Sequence, residues 1–389
     1  MRRSIFNSDH DVFRKSLRDF IAKEVTPHYD DWEKAGHPPR DFYRKLGDLG
    51  IFGMEVPEEY GGAGESSFIW SMVLSEELTR SAVSFGGSTT HTGLCLGYLL
   101  RYATEDQKQR WLPAFATGET MYAIAMTEPG TGSDLAGIRT SATLSADGSH
   151  YILNGAKTFI TGGVLADRVL VVCRTSPAPS DNRRLGLSIL SVDTTSEGYQ
   201  VGRKLDKIGM HASDTAELSF SDVRVPVGDL LGEEGQAFSY LGDNLIRERL
   251  GIGVESAATA AAAIQFAIDY TTARTVFGSP VSAFQNTKFV LAECAAEQTA
   301  AQTLVDKAVE LFDIGELTAA DAAEVKLFTT EVAARVVDKC LQLHGGYGYM
   351  REYPIARLYT DTRVSRIYGG TNEVQKTVIA KALFDQTGQ

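Results

Sequence analysis

Cysteine is scarce and scattered. Cys95, Cys173, Cys294 and Cys340 share no C-x-x-C spacing, so neither a zinc site nor a disulfide framework is supported, no metal is expected, and the four read as reduced core residues. A basic excess is missing too: the formal net charge is -12, which argues against nucleic acid or an anionic membrane as the main partner. The opening MRRSIFNSDH has two arginines but no apolar run behind them, so no secretory signal is expected. No stretch reads as long enough to span a bilayer. A transit-like Arg/Ser-rich extension is likewise missing, and the expectation is a cytosolic (cytoplasmic) protein of bacterial origin. What the chain does have is 389 residues at 43% hydrophobic content, enough for a large core shared between two or three domains.

Hydrophobic spacing divides it into three. Over residues 9–119 the pattern is helical: Val12, Phe13, Leu17, Phe20 and Ile21 recur at three- and four-residue steps, as do Phe42, Leu46, Leu49 and Ile51. Residues 55–64 read as a loop, and 71–80 and 85–102 as helices. From about 121 to 227 the texture is β. RVLVVCRT and LGLSILSV read as core strands, Asn154-Gly155 between alternating runs predicts a hairpin, and 204–226 closes the sheet. From about 235 long Ala/Leu-rich helices follow. The expected class is α+β: a helical N-terminal domain over 1–120, a middle β sheet or barrel over 121–230, and a C-terminal four-helix bundle over 231–389.

Two stretches carry chemistry. In YAIAMTEPGTGSD (122–134), Tyr122, Ile124 and Met126 alternate as in a half-buried strand, and Pro129, Gly130 and Gly132 break the pleat. Free N–H groups and the Thr127, Thr131 and Ser133 hydroxyls would then converge on a ligand, unless this is a plain strand-end turn. In LGDNLIRERLGIG (241–253), Leu241, Leu245, Glu248 and Ile252 share one helical face, with Glu248 its sole charge. Its neighbours at three and four residues, Asn244, Leu245, Gly251 and Ile252, are not basic. Arg247 has a local partner in Asp243; Arg249 has none. A buried, unpaired carboxylate should have a raised pKa, as a general base near neutral pH requires.

The 122–134 run resembles, nearly residue for residue, the flavin-binding signature of the acyl-CoA dehydrogenase family, and further matches follow in order along almost the whole chain. The resemblance implies FAD. It sets Ile124, Met126, Thr127 and Ser133 along the isoalloxazine edge and pyrophosphate, and gives Phe159 and Thr161 of FITGG the covering and N5-proximal positions. Phe159 stands where the family usually has tryptophan. ARTVFGSPVSAFQ (273–285) is similar to the segment that reaches a neighbouring subunit's FAD, through Arg274, Phe277 and Gln285, with Val276 in place of a frequent hydroxyl residue. Gln342, Gly345 and Gly346 of QLHGGYGYM match another cross-subunit contact, and Thr371 and Glu373 of YGGTNE complete the cofactor set. Many members place the catalytic glutamate directly after this tyrosine, where the chain has Gly369. The isovaleryl-CoA and long-chain branches instead carry it on the first C-terminal helix, in a pair like Glu248-Arg249.

The implied activity is α,β-dehydrogenation of an acyl thioester to the trans-2-enoyl product, with Glu248 taking the α-proton and the flavin N5 the β-hydride. The thioester carbonyl would bond to the N–H of Gly369 and to a flavin ribityl hydroxyl. Ser133, Arg249, Tyr368, Gly369 and Gly370 would line the substrate side, and Ile246 stands where an acidic residue often holds the pantetheine arm. Gly86, Gly87, Ser88 and Thr89 leave room for an acyl chain or for close helix packing. Implied partners are coenzyme A or carrier-protein thioesters, an electron-transfer flavoprotein and further copies of the chain, most often in a tetramer; rapid reaction with oxygen would make an oxidase. Two alternatives stand beside this: an N-hydroxylating or nitroso-forming flavin monooxygenase on the same fold, and a non-catalytic subunit scaffolding a paralogue.

Overall fold

The apolar steps near the N-terminus form α1 (Ser8–Phe20), which Asn7 caps by accepting the N–H groups of Asp9 and His10, while His10 Nδ1 accepts that of Asn7. Leu17 and Ile21 are buried, but Val12 faces out at 66% exposure, so its place in the spacing does not make it core. The computed structural model describes residues 3–385; residues 1–2 and 386–389, the outer ends of the expected terminal domains, lie outside it. Then come α2 (Tyr29–Ala35), α3 (Arg40–Asp48), α4 (Phe68–Arg80), α5 (Ser88–Thr90), a π turn (His91–Cys95), α6 (Leu96–Tyr102) and α7 (Glu105–Ala116).

The second region is one mixed sheet. It consists of β1 (Tyr122–Ala125), β2 (Ser141–Leu144), β3 (His150–Thr161), β4 (Arg168–Arg174), β5 (Leu187–Asp193), β6 (Tyr199–Lys204), β7 (Thr215–Pro226) and β8 (Leu230–Leu231). They lie in the order β6-β7-β3-β2-β4-β5-β8, with β1 parallel to β4. The hairpin expected at Asn154-Gly155 is not there, because β3 runs straight through it. Gly155, at φ 148°, sits at a register shift against β7, and a β-carbon on it would lie 2.5 Å from Thr140 Oγ1. Asn154 exchanges two 2.9 Å bonds with Asp222 instead of turning the chain. The turn comes earlier, at Asp147-Gly148, where Asp147 Oδ1 accepts from Ser145 Oγ and from Ser149 N and Oγ.

The third region opens with α8 (Ala237–Ala273). The hairpin β9 (Thr275–Val276) and β10 (Ser279–Pro280) leads into α9 (Gln285–Asp313), α10 (Ala319–Leu343), α11 (Pro354–Thr362) and α12 (Asn372–Asp385). α10 packs on α8, α9 and α12, and α4 lies along α8. The buried Ala257, Ala260, Ala263 and Ala267 let α8 sit close to its neighbours. Against expectation, α8 is long and apolar enough to cross a membrane; 61% of its most apolar window is buried within the protein, as suits the central helix of a bundle.

Of the small residues before the π turn, Gly86 and Gly87 serve close packing, though not of helix on helix. Gly86 and Gly87 precede the helix, and β-carbons there would stand 2.7 Å from Pro38 Cδ and 3.2 Å from Gly162 Cα. Gly86 packs within the first region, and Gly87 lets that region approach the end of β3. Open space lies instead beside Gly93 in the π turn, and beside Gly251 on α8, where the nearest atom to a β-carbon would be Phe68 Cζ at 3.9 Å.

Candidate active site

β1 is held at its start by His91. The fully buried imidazole accepts the Tyr122 N–H at Nδ1 (3.0 Å) and meets the Phe115 carbonyl at Nε2 (3.2 Å), and burial pushes its pKa down to about 3. It is neutral, with its proton on Nε2. Past β1, Glu128 and Thr131 exchange backbone bonds of 2.9 and 3.0 Å. Thr131 Oγ1 turns inward to the Gly137 carbonyl, 3.3 Å away. That corrects the expectation of three converging hydroxyls: Thr131 serves the turn, while Thr127 is half-buried and Ser133 exposed.

A buried lysine fixes this turn. Lys157, on β3 and 1% exposed, donates to the Met126 carbonyl (2.8 Å) and to Glu128 Oε1 (3.0 Å), while the Glu128 carboxylate accepts the N–H groups of Arg139 and Thr140 at 2.8 Å each. Two residues on, β3 shifts register, and Phe159, at φ 60°, swings out to 67% exposure. Thr161 ends the strand opposite Thr215, Ile124 is buried beneath, and Thr158 N–H binds the Thr127 carbonyl at 3.0 Å. Met126 and Thr127, just past β1, are therefore pinned by one ammonium to β3, which carries Phe159.

On α8, the Glu248 carboxylate has no hydrogen bond or ion pair with any described residue. Burial pushes it up to about 7 against the opposing pull of Arg249 and Lys326. Arg247 does not pair with Asp243, as its spacing suggested. It reaches Glu55 Oε1 at 2.5 Å, and Asp243 accepts from Tyr102 Oη at 2.9 Å. Arg249 is 6% exposed and turns toward the Gly369 carbonyl, 3.4 Å from Nε.

Facing Glu248 is the turn at Tyr368, Gly369 and Gly370. Both glycines have positive φ, 63° and 84°, which other residues adopt at a cost. A β-carbon at Gly369 would come 3.5 Å from Glu248 Oε1. The Gly370 carbonyl accepts from Lys326 Nζ (2.9 Å) and Gln375 Nε2 (2.7 Å), and the Gly369 carbonyl from Gln375 Nε2 at 3.1 Å. No described residue accepts the N–H of Gly369 or Gly370. The turn thus has its carbonyls bound and its donors free, beside a carboxylate without a partner. Tyr368 Oη reaches Glu255 Oε2 at 3.4 Å, Thr371 Oγ1 accepts the Val374 N–H at 3.4 Å, and Glu373 is exposed at the start of α12.

The remaining candidates lie elsewhere. Arg274 ends α8 with its guanidinium 5.6 Å from the Tyr347 ring centre, beside a hollow of about 470 Å³ lined also by Gly345 and Gly346. Phe277 is 98% exposed, and Gln285 and Gln342 are exposed. The structure does not bring these six together with Glu248.

A helical region, a mixed sheet and a helical bundle that carries a half-buried, unpartnered carboxylate describe a flavoprotein oxidoreductase. Sequence descriptions of the acyl-CoA dehydrogenase N-terminal, middle and C-terminal domains match residues 7–119, 123–223 and 235–384, and the chain belongs to the acyl-CoA dehydrogenase family. It is 41% identical over 381 residues to the long-chain specific acyl-CoA dehydrogenase, mitochondrial, of Sus scrofa, covering 98% of this chain and 88% of that one. The crystal structure of acyl-CoA dehydrogenase from Geobacillus kaustophilus superposes with a TM-score of 0.94 at 45% identity, covering 98% of this chain and all (100%) of that one. An acyl-CoA dehydrogenase complexed with FAD from Bacillus anthracis gives a TM-score of 0.90 at 32% identity, over 100% of this chain and 69% of that one.

The cofactor is FAD, and the residues present fit it. Nothing lies within 4 Å of a β-carbon built at Gly130 or Gly132, the N–H groups of Thr127, Gly132 and Ser133 find no acceptor among the described residues, and the Phe159 ring stands free. Open space, free donors and an exposed aromatic face suit a phosphate-bearing planar ligand. Sequence reasoning missed Lys157, Lys326, Gln375 and Glu255. A signal existed for Lys326: it is the sole charge among Ala322, Val325, Thr329 and Ala333 on one buried face of α10.

Proposed function

We propose that the chain dehydrogenates an acyl thioester between Cα and Cβ, with Glu248 as the base. The observation that carries this reading is the unpartnered Glu248 carboxylate set against the free N–H groups of the Gly369-Gly370 turn. Bound FAD supplies the hydride acceptor, held by Met126, Thr127, Ser133, Phe159 and Thr161. The thioester carbonyl takes the Gly369 N–H, which stabilises the negative charge that grows on oxygen as the α-proton leaves. Glu248 receives that proton, the β-hydrogen leaves as hydride, and the product is the trans-2-enoyl thioester. A carboxyl raised to about 7 is half ionised near neutrality and strong enough as a base to matter. The open space by Gly93 and Gly251 takes the acyl chain.

We further propose a homo-oligomer, a tetramer, with an electron-transfer flavoprotein as acceptor. Arg274 follows Glu248 by 26 residues on one helix, which is about 39 Å at 1.5 Å per residue. One dinucleotide does not span that distance, so Arg274, Gln285 and Gln342 would serve a neighbour's FAD. The exposed Phe277, Phe289 and Tyr349 give that neighbour an apolar surface.

The test is Glu248→Gln. It should keep yellow FAD and bind acyl-CoA, yet lose anaerobic flavin bleaching by about a thousandfold or more. Bleaching at the wild-type rate would remove Glu248 from the role, and a panel of acyl lengths run with the wild type would define the chain preferred.

A further inference from the structure

Lys326 is 0% exposed on α10, yet none of its contacts is a conventional ion pair. Its Nζ donates to the Gly370 carbonyl at 2.9 Å and to Asn372 Oδ1 at 2.8 Å. Asn372 in turn donates to Thr330 Oγ1 at 3.1 Å and to Glu331 Oε1 at 2.8 Å, so the amide that accepts from the ammonium is itself held in place. Burying an ammonium is costly unless something else depends on its charge. The charged groups that face it are Glu248 and Arg249 on α8, Glu331 on its own helix, and Glu373 on α12. Those that face Glu248 are Arg249 and Lys326, and the titratable hydroxyls of Tyr98 on α6 and Tyr368 on the facing turn also lie near it.

We infer that Lys326 is a positioning residue for the proposed reaction: its ammonium holds the Gly369-Gly370 turn by the carbonyl side, leaving the N–H groups free, and supplies positive charge that favours ionised Glu248. This rests on the reading of Glu248 as the base. One side chain thereby governs both the carbonyl-binding donors and the proton acceptor. Gln375 binds the same carbonyls at 2.7 and 3.1 Å but carries no charge, so it shares the first task and not the second. Burial itself works against the ammonium, bringing Lys326 down to about 8, and the nearby Arg249 pushes the same way. Its charge is therefore held within reach of neutral pH.

The experiment compares wild type, Lys326→Met, Lys326→Gln and Gln375→Leu as FAD-loaded chains. Two readouts are followed against pH: single-turnover anaerobic bleaching by an acyl-CoA, and the carboxyl infrared band of Glu248, isolated by subtracting Glu248→Gln, without substrate. Both neutral Lys326 variants should bleach at least about tenfold more slowly, with the acid limb and the infrared midpoint moved up by about one pH unit, since an opposite charge has been removed. Gln375→Leu should slow bleaching and leave both midpoints in place. Midpoints that stay put in the Lys326 variants overturn the inference, as does failure of both neutral variants to fold and load FAD, which would make the lysine structural. If wild type itself is inert toward acyl thioesters, the reaction reading fails, while the infrared titration still decides whether Lys326 sets the ionisation of Glu248.

Discussion

The Ile252 side chain, one turn beyond Glu248 on α8, occupies the space that a side chain at Gly369 would need. A β-carbon at position 369 would lie 3.5 Å from Glu248 Oε1 and 2.4 Å from Ile252 Cδ1. Position 369 therefore holds glycine for room as well as for φ. Gly369→Ala is expected to lower stability by about 1–3 kcal/mol through overlap with Ile252 and left-handed strain. Adding Ile252→Ala should relieve the overlap without the strain. Urea unfolding of the single and double variants checks this; an alanine tolerated at no cost would contradict the packing described.

Lys157 and Glu128 form a buried pair that shapes the turn proposed to hold FAD. Lys157→Met frees the Met126 carbonyl and should weaken FAD binding by roughly tenfold or more, a change of about 1.4 kcal/mol, read by titrating apoprotein with FAD. Glu128→Gln leaves the lysine buried without its counter-charge and should cost stability on the order of 3–5 kcal/mol. Equal FAD affinity in wild type and Lys157→Met would remove the lysine from cofactor binding.

Glu255 gives a pH signature in stability. Its carboxyl is pushed up to about 7 by burial and then by Asp361, against the pull of the Tyr368 hydroxyl. The folded chain thus holds this proton more tightly than the unfolded one, so the contribution is present at low pH and fades as pH rises through about 7. Glu255→Gln should gain on wild type in denaturant midpoint between about pH 5 and pH 8, the gap widening upward. A gap that is constant with pH would show that this carboxyl is not protonated in the folded chain at the lower pH.

Arg274 and Phe277 should affect assembly and FAD together. Phe277→Ser places a polar group on a 98% exposed aromatic site and should shift light-scattering mass toward smaller species. Arg274→Ala should lose FAD with mass unchanged. FAD retention by a stable monomer would contradict the cross-subunit reading.

Much of this was legible because the relevant signals are local. The helical spacing of Leu241, Leu245, Glu248 and Ile252 marks a charge on an apolar face whatever the tertiary contacts, and the glycines of 122–134 mark a turn. The misreadings are tertiary. Asn154-Gly155 has hairpin chemistry, but β7 provides a full-length partner that keeps β3 extended, with the glycine absorbed in a register shift. Arg247 had Asp243 one turn away and chose Glu55 across the α4 side of the fold. Gly86 and Gly87 are small for the sake of Pro38 and Gly162, residues far off in sequence. Lys326 was readable by the argument used for Glu248, had that argument been applied to α10.

The unbroken run of α8 from Ala237 to Ala273 has a further effect. It makes the helix a ruler, and its graduations are angular as well as linear. Inserting one alanine between Glu248 and Arg274 would lengthen it by only about 1.5 Å but swing the arginine through about 100°. Evolution can therefore exchange the residues along this rod far more freely than it can change their number.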